Sequence, residues 1–309
     1  MMQWTKLGLI PRPKILGSWA KTHCMIPTPM QLPNGLIRIF TTFCDENGVG
    51  RPGYIDVNED NPLEVVGFSK DPLLDVGVPG SFDESGILAC SVVRNPDGSL
   101  NLYYVGFELG QKIRYRLLTG LAQSFDGGSS FVRYSRSPIL ERSDNELYFR
   151  GGPYCIFENG KYRMWYVAGS EWEVINGKAM PVYEIYYAES NDGKKWPSSG
   201  KKIIPISKND EHGFGRPYIF NTESGNYSMY YSIRRKSLQA YRLGYAESLD
   251  GKKWNRLDKE VNLDVTPDSY DSEAIMYAAP FRVGKNVYLF YNGNNFGRSG
   301  IAVAKLTGV

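Results

Sequence analysis

The sequence has few of the residues that build metal centres, with two histidines and four cysteines in 309 residues. The cysteines, Cys24, Cys44, Cys90 and Cys155, form no Cys-x-x-Cys pair, so they cannot readily assemble a tetrahedral zinc site. We therefore expect reduced cysteines buried in strands as small apolar residues, and neither a transition metal nor an organic cofactor. A structural calcium ion bound by oxygen atoms stays open as an alternative.

The chain also lacks the patterns of several other classes of protein. It contains no glycine-rich phosphate loop and no Gly-x-Ser-x-Gly elbow. Its net charge of +3 is too small to predict a nucleic-acid or acidic-membrane partner. No apolar run is long enough to span a bilayer, and residues 1–13 lack the apolar stretch of a signal peptide. We expect a soluble, cytoplasmic protein, and leave its oligomeric state open.

A repeated ten-residue string is the strongest feature that is present. Tyr187–Trp196 reads YAESNDGKKW and Tyr245–Trp254 reads YAESLDGKKW, while Leu121–Phe131 is a looser copy, LAQSFDGGSSF. An Asp-Gly pair between apolar runs predicts a β-hairpin, because glycine adopts a positive φ without steric cost. Three such hairpins at similar spacing indicate a repeat architecture.

Five strands rich in aromatic residues extend this repeat along the chain. They are Gly35–Phe43, Asn101–Glu108, Lys161–Ser170, Asn226–Arg234 and Asn286–Asn294. Each follows a glycine-containing turn and a short apolar strand, and each is followed by a third strand. The pattern predicts an all-β fold, a five-bladed β-propeller of four-stranded blades forming one domain over residues 1–309. A β-sandwich is the alternative, but it does not explain five repeats.

The last repeat stops after its third strand, and the missing strand is found at the other end of the chain. Trp4–Leu7 reads WTKL and matches Trp254–Leu257, WNRL, which begins the fourth strand of the preceding repeat. We therefore predict that residues 3–10 pair with the C-terminal strands and close the ring, which would protect a strand edge.

Polar residues just before the first strand of each repeat are the candidate site residues, because first strands line the channel of a propeller. They are His23, Asp83, Glu84, Glu146, Arg150, Glu211, His212, Arg216, Asp271 and Glu273. Carboxylates around one channel would raise each other's pKa, and glycoside hydrolysis needs two carboxylates. At each single position the alternative is a solvated carboxylate that caps a turn.

Polar and aromatic residues near the same loops could bind a sugar. The ends of the second strands carry Arg234, Asn292 and Asn294, whose polar groups could bond to hydroxyls. Most of the nearby aromatic residues are expected to pack in the core, but one or two could stack on a sugar ring. These aromatic residues are Trp19, Phe82, Tyr148, Phe149, Trp172 and Phe214.

Several strings carry a resemblance to known propeller enzymes. They are Pro27–Pro29, Gly80–Gly86 (GSFDESG), Tyr187–Trp196, Arg216-Pro217, Asp271–Glu273 and Tyr291–Asn294. On these residues the whole chain resembles the five-bladed propeller glycosidases of the arabinanase/β-xylosidase and invertase/levanase type. It resembles more closely a poorly characterised branch of hydrolase-like propeller proteins. Ser124–Phe131 is similar to the Asp-box of sialidases, which implies a structural turn.

The resemblance implies a carbohydrate-active enzyme, a glycoside hydrolase or a related glycosyl-transferring enzyme acting on a glycan or sugar conjugate. Those glycosidases place an acidic residue directly before a proline or its equivalent in the first three blades, where this chain has Thr28, Cys90 and Gly152. Our hypothesis is that the acids have moved. It assigns the acid/base or nucleophile pair to Asp83 and Glu273, their tuning to Asp271, Glu146 and His23, and substrate binding to Arg216 and Arg234.

Two other functions remain open at this point. One is a non-catalytic glycan-binding module, and the other is a propeller that binds protein partners. A deep acidic pocket with facing carboxylates would favour an enzyme, whereas a shallow aromatic groove would favour a binder.

Overall fold

A computed structural model describes residues 1–13, 17–222, 225–238 and 240–308. Strands hold 55% of the structure and helices 3%, which confirms the all-β prediction. The fourth-blade turn predicted at residues 223–225 lies partly outside the described residues. None of the helices in the described ranges is long and apolar enough to cross a membrane.

The described residues form twenty strands, numbered here in chain order. They are β1 (Gln3–Leu9), β2 (Cys24–Gln31), β3 (Leu36–Cys44), β4 (Gly50–Asn58), β5 (Val65–Phe68), β6 (Ile87–Arg94), β7 (Leu100–Leu109), β8 (Tyr115–Ser124), β9 (Val132–Arg133) and β10 (Phe149–Glu158). The rest are β11 (Lys161–Ile175), β12 (Lys178–Ser190), β13 (Lys201–Ile204), β14 (Glu211–Asn221), β15 (Tyr227–Arg235), β16 (Tyr241–Ser248), β17 (Asn255–Arg256), β18 (Met276–Val283), β19 (Asn286–Asn292) and β20 (Ile301–Gly308). A 3-10 helix at Asp258–Val261 and one short helix, α1 (Asn294–Gly297), accompany them.

The chain divides into two compact units. The first takes Met1–Pro72, Tyr218–Ile233 and Ala240–Val309, and the second takes Leu73–Pro217 and Arg234–Gln239. Within the first unit, β2-β3-β4-β5 form one antiparallel sheet and β1-β20-β19-β18 another. Within the second unit, β6-β7-β8-β9 and β10-β11-β12-β13 repeat the same four-strand order. The predicted strand–turn–strand–connection–strand–hairpin–strand unit is therefore present.

The N-terminal strand pairs with the C-terminal one, as predicted. Strand β1 runs antiparallel to β20, with Thr5 opposite Lys305 and Lys6 opposite Ala304. The backbone amide of Ile10 continues the pairing by donating to the carbonyl of Ile301 over 2.9 Å. The match between WTKL and WNRL thus identified a fourth strand contributed from the start of the chain.

The Asp-Gly hairpins are structural turns held by their own side chains. Asp250 Oδ1 accepts the backbone amides of Lys252 and Lys253 at 2.7 and 2.8 Å, and the Ser248 hydroxyl donates to it over 3.1 Å. These backbone amides hold the pKa of Asp250 at about 2. The indole N–H of Trp254 closes the turn by donating to the carbonyl of Gly251, whose φ is 70°.

The cysteines lie where the sequence predicts them. Cys24, Cys44, Cys90 and Cys155 are all free and buried. Burial raises the pKa of the Cys24, Cys44 and Cys90 thiols to about 12, so they stay protonated and unreactive at neutral pH.

Candidate functional site

Asp83, one of the predicted catalytic residues, is fully buried in the second unit and bonded to two strands. Its Oδ2 atom accepts the hydroxyl of Tyr104 on β7 over 3.0 Å and the Nε of Arg133 on β9 over 2.8 Å. Its Oδ1 atom accepts the hydroxyl of Ser81 over 3.0 Å. A cavity of 310 Å³ lies alongside, bordered by Ser81, Arg133 and Arg136. The carboxylate is thus held by a tyrosine on the second strand and a cation on the fourth.

The same arrangement recurs in the first unit around Asp271. This carboxylate is fully buried, and its Oδ2 atom accepts Tyr291 on β19 over 3.0 Å and Lys6 on β1 over 2.6 Å. Asp258 makes a third copy in the preceding repeat, with Tyr231 on β15 and Arg256 on β17, each at 2.6 Å. We call each of these sets a carboxylate–tyrosine–cation triad.

Glu146 forms a variant of the triad in the second unit. Its Oε2 atom accepts the Tyr166 hydroxyl over 2.7 Å and lies 2.7 Å from the Nε of Arg150. Its Oε1 atom accepts the backbone amide of Gly200, just before β13, over 2.6 Å. Glu146 and Arg150 are both buried. In this variant the cation lies at the start of the first strand, β10, rather than on the fourth strand.

The triads account for two of the carboxylates predicted before first strands, Asp83 and Asp271, whereas Asp258 follows the fourth strand of its repeat. The tyrosines occupy one register position on the second strands, and glycines on the third strands leave room for two of their rings. A Cβ atom on Gly120 or Gly244 would lie 2.3 or 2.2 Å from the ring of Tyr104 or Tyr231. In the first repeat the register places Thr41 at this position, and no carboxylate triad accompanies it among the described residues. The tyrosine that recurs on the second strands therefore has a structural role, which is to bond a carboxylate.

The cations of three triads follow a pattern that the sequence analysis missed. They occupy the third position of the strings FVR at 131–133, WNR at 254–256 and WTK at 4–6, and each string enters a fourth strand. The match between WTKL and WNRL, which predicted the pairing of residues 3–10, thus also contains the cations Lys6 and Arg256 of two triads.

Several predicted binding residues are committed to internal bonds. Buried Asn292 donates to the carbonyls of Cys24 and Gly300, each over 2.9 Å. Buried Glu211 accepts the amide of Ser207 over 2.6 Å, and exposed Glu84 accepts the amide of Gly80 over 2.6 Å. Buried Arg216 donates to the carbonyl of Cys90 over 3.1 Å. These contacts anchor the loops and first strands of each unit.

Glu273 differs from the other predicted catalytic carboxylates because its side chain is exposed. Among the described residues its carboxylate has no hydrogen bond or ion pair, but its backbone is fixed. Its amide donates to Asn294 Oδ1 over 2.8 Å, and its carbonyl accepts Nη1 of Arg242 over 2.6 Å. The backbone of Glu273 is thus fixed, and its carboxylate is exposed to solvent.

Three aromatic side chains lie near the chain segment that follows Glu273, and we call Tyr241, Tyr277 and Phe296 the first-unit aromatic site. The Tyr241 ring lies 5.9 Å from that of Tyr277 and 6.2 Å from that of Phe296. Ala274, next to Glu273 in the chain, packs in the same cluster as Tyr241. The predicted binding residue Asn294 lies two positions before Phe296.

His23, the predicted site residue of the first repeat, belongs to the first unit and is half-buried. Its Nδ1 atom lies 2.8 Å from the Thr22 hydroxyl. Burial and then the charges of Arg298 and Arg12 lower its pKa, so the ring is neutral at pH 7 and able to accept a proton.

A second group of aromatic rings lies in the second unit, and we call Tyr115, Phe149, Trp172 and Tyr183 the second-unit aromatic site. Trp172 lies 5.5 Å from Tyr115 and 5.4 Å from Phe149, and Tyr183 lies 5.4 Å from Phe149. Trp172 and Tyr183 come from the long hairpin of β11 and β12, strands of 15 and 13 residues in which Glu171 pairs with Val182.

Two predicted binding residues border the second-unit aromatic site. Burial raises the pKa of Tyr115 to about 12, partly offset by a hydrogen bond from Arg234 and by the charge of Arg114. His212 is buried with Nδ1 3.1 Å from the carbonyl of Pro181, and burial lowers its pKa. The site therefore combines aromatic rings, a guanidinium and a neutral imidazole, which suits a hydroxylated ligand.

The other aromatic residues singled out in the sequence pack inside the units. Trp19 lies edge-on to Phe43 at 5.3 Å, and Phe82 stacks on Tyr104 at 6.0 Å. Phe214 is fully buried, and Tyr148 lies 6.3 Å from Phe149. Within the described ranges, no group of three or more His, Cys, Asp and Glu side chains could hold a metal ion.

Solved structures with similar folds include glycoside hydrolases. One, titled "Glycoside hydrolase", is 17% identical with a TM-score of 0.76 and covers 98% of this chain and 92% of its own. Another, a thermostable family-43 glycoside hydrolase, is 16% identical with a TM-score of 0.68 over 95% and 91%. A third, from a study of mannoside phosphorylases and hydrolases that target β-1,2 mannosidic linkages in Candida mannan, is 16% identical with a TM-score of 0.65 over 93% and 85%. The chain thus has the propeller-type fold of glycoside hydrolases.

Sequence relatives define its family. The chain is 31% identical over 305 residues to the uncharacterized protein Rv1502 of Mycobacterium tuberculosis strain ATCC 25618 / H37Rv, covering 99% of both chains. It is 30% identical, over the same shares, to the uncharacterized protein MT1551 of M. tuberculosis strain CDC 1551 / Oshkosh. At this identity and coverage the chain belongs to the family of these proteins. No family model matches it.

Proposed function

We propose that the protein is a carbohydrate-active enzyme, a glycoside hydrolase or a related glycosyl-transferring enzyme acting on a glycan or sugar conjugate. One observation carries the proposal: Glu273, an exposed carboxylate whose backbone is fixed by two hydrogen bonds, adjoins Ala274, which packs in the cluster of Tyr241 in the first-unit aromatic site. Aromatic faces bind the C–H faces of sugars, and a positioned carboxylate can transfer a proton to a glycosidic oxygen. The fold shared with glycoside hydrolases supports the same proposal.

The proposed architecture is a single domain, a five-bladed propeller of four-stranded blades that β1 closes. The repeated four-strand order within both units and the β1–β20 pairing support it. In this architecture the first strands line the central channel, and the loops before them surround the sugar.

Within the proposed mechanism Glu273 is the carboxylate that contacts the sugar. Asp83 is the partner predicted from the sequence, but its oxygens are occupied by Ser81, Tyr104 and Arg133. Hydrolysis through both carboxylates would require Asp83 to leave these bonds. For Glu146 and Asp271 the buried ion pairs favour a role in positioning the loops.

The test is a turnover screen on a panel of aryl glycosides and nucleotide sugars, followed by single substitutions. On an accepted substrate, Glu273→Gln should lose roughly 10²-fold or more in turnover, as for a lost general acid or base. Asp60→Asn is a matched control, because Asp60 is an exposed carboxylate in the turn between β4 and β5. Full activity in both Glu273→Gln and Asp83→Asn would refute the assignment.

A non-catalytic glycan-binding module is the second candidate. The burial and ion pairing of Asp83, Glu146 and Asp271 favour it, since these are three of the five residues predicted to act in catalysis. Binding of a sugar without turnover by the wild-type chain on the whole panel would select this function.

A further inference from the structure

The loop at α1 holds an aromatic residue in an unusual backbone conformation. Asn295 has φ 50° and ψ 46°, and Phe296 has φ 56° and ψ 35°, so two successive residues are left-handed. Asparagine tolerates this region, but a bulky residue such as phenylalanine is an outlier there. Such strain persists only where the surroundings fix it, and it clusters at functional sites.

The surroundings of this loop do fix it. Asn294 Oδ1 accepts the amides of Glu273 and Ala274 at 2.8 and 3.1 Å, and its Nδ2 donates to the Ser272 hydroxyl over 3.0 Å. On the other side, a Cβ atom on Gly297 would lie 2.4 Å from Nδ2 of buried Asn292. The loop is therefore clamped on both sides of Phe296, by the hydrogen bonds of Asn294 and by the close packing of Gly297 on Asn292. The hydrogen bonds of Asn294 also fix the backbone of Glu273.

Hydrophobic burial of the Phe296 ring does not offset the backbone strain. The side chain of Phe296 remains 42% exposed and meets Tyr241 only edge-on, at 6.2 Å and 83°. A fully buried phenylalanine would gain hydrophobic stabilisation, whereas this one keeps much of its surface in water. A strained, exposed ring on a fixed loop is typical of a preformed contact for a ligand, and the same loop fixes the backbone of the exposed residue Glu273.

We propose that Phe296 is a sugar-stacking residue, and that the clamped loop presents its ring to the C–H face of a saccharide whose hydroxyls reach Glu273. This inference rests on the proposed function and deepens it. The ligand class is a pyranose with a continuous C–H face, because the face of an aromatic ring carries partial negative charge and attracts C–H groups rather than anions. Glu273 would accept hydroxyl hydrogens at the edge of the same sugar.

Saturation-transfer difference NMR tests the inference without requiring turnover. The probe is a mixture of the methyl pyranosides of glucose, galactose, mannose and rhamnose. In the wild-type chain, the ring C–H protons on one face of at least one glycoside should receive the most saturation. Phe296→Ala should reduce this signal at least fivefold, and Phe296→Trp should retain it. Phe125→Ala is the matched control, because Phe125 is 78% exposed on an Asp-Gly hairpin.

Phe296→Asn separates stacking from a structural role. Asparagine accepts the left-handed conformation, so the melting temperature should equal or exceed that of the wild type while the saturation signal is lost. An undiminished signal in folded Phe296→Ala would overturn the stacking role alone. Absence of a signal from every glycoside with the wild-type chain would overturn both the inference and the proposed carbohydrate site.

Discussion

Asp271 and Glu273 are two residues apart, yet they occupy opposite environments. Asp271 is fully buried between Tyr291 and the cation of Lys6, whereas Glu273 is exposed and positioned only through its backbone. Asp271 repeats a feature found around Asp83 and Asp258, but Glu273 has no such counterpart among the described triads. The difference indicates that carboxylates bonded to a tyrosine and a cation stabilise the fold, whereas the exposed Glu273 is accessible to a ligand.

Removing residues 1–13 should have the largest effect on stability. The deletion exposes the edge of β20 and also takes away Lys6, which leaves Asp271 buried without its cation. We expect the melting temperature to fall further than for any single substitution below. Thermal unfolding followed by circular dichroism measures it, and an unchanged melting temperature would show that β1 contributes nothing.

The charge of Lys6 can be removed by itself. Lys6→Met should destabilise the fold by about 3–5 kcal/mol, the usual cost of leaving one member of an ion pair buried without its partner. Lys285→Met, at an exposed lysine between β18 and β19, should cost almost nothing. Denaturant titration compares the two variants. Equal stabilities would mean that the buried triad is not a structural element.

The hydroxyl of the triad tyrosine should contribute less than the cation. Tyr104→Phe keeps the ring against Gly120 but removes the donor to Asp83, which should cost about 1–3 kcal/mol. Tyr134→Phe serves as the control because Tyr134 is exposed. If both variants unfold at the same denaturant concentration, the hydrogen bond to Asp83 is energetically neutral.

The smallest effect expected is a pH dependence due to His212. Burial lowers its folded pKa below the unfolded value near 6.5, so the unfolded chain binds the proton more readily. Stability should be full above pH 6.5 and decrease as the pH falls below it. His212→Asn keeps a hydrogen-bond donor towards the carbonyl of Pro181. In this variant the melting temperature should change less with pH between pH 7 and pH 5. A slope identical to the wild type would assign the dependence to other groups.

Much of the fold could be predicted from the sequence because repeated strings report local geometry. The Asp-Gly turns, the four-strand unit and the pairing of Trp4–Leu7 all follow from turn chemistry and strand period. The burial of Asp83 could not be predicted in the same way, because its partner Arg133 lies fifty positions away on the fourth strand.

The candidate site could be predicted only in part. Glu273, His212 and Arg234 were selected by their place before or after a strand, and the structure places His212 and Arg234 beside the second-unit aromatic site. Tyr241 and Phe296 were missed, because their proximity depends on the left-handed conformation of the loop at α1. Asn295 before Phe296 was the available signal, since asparagine tolerates that conformation.

The central claim is that Glu273 performs chemistry while its neighbour Asp271 maintains structure. Turnover per folded molecule, measured for Glu273→Gln and Asp271→Asn on the same accepted glycoside, tests it directly. We expect Glu273→Gln to lose roughly 10²-fold or more at an unchanged melting temperature, and Asp271→Asn to melt earlier but retain its turnover. The reverse pattern, with turnover lost only in folded Asp271→Asn, would contradict the account.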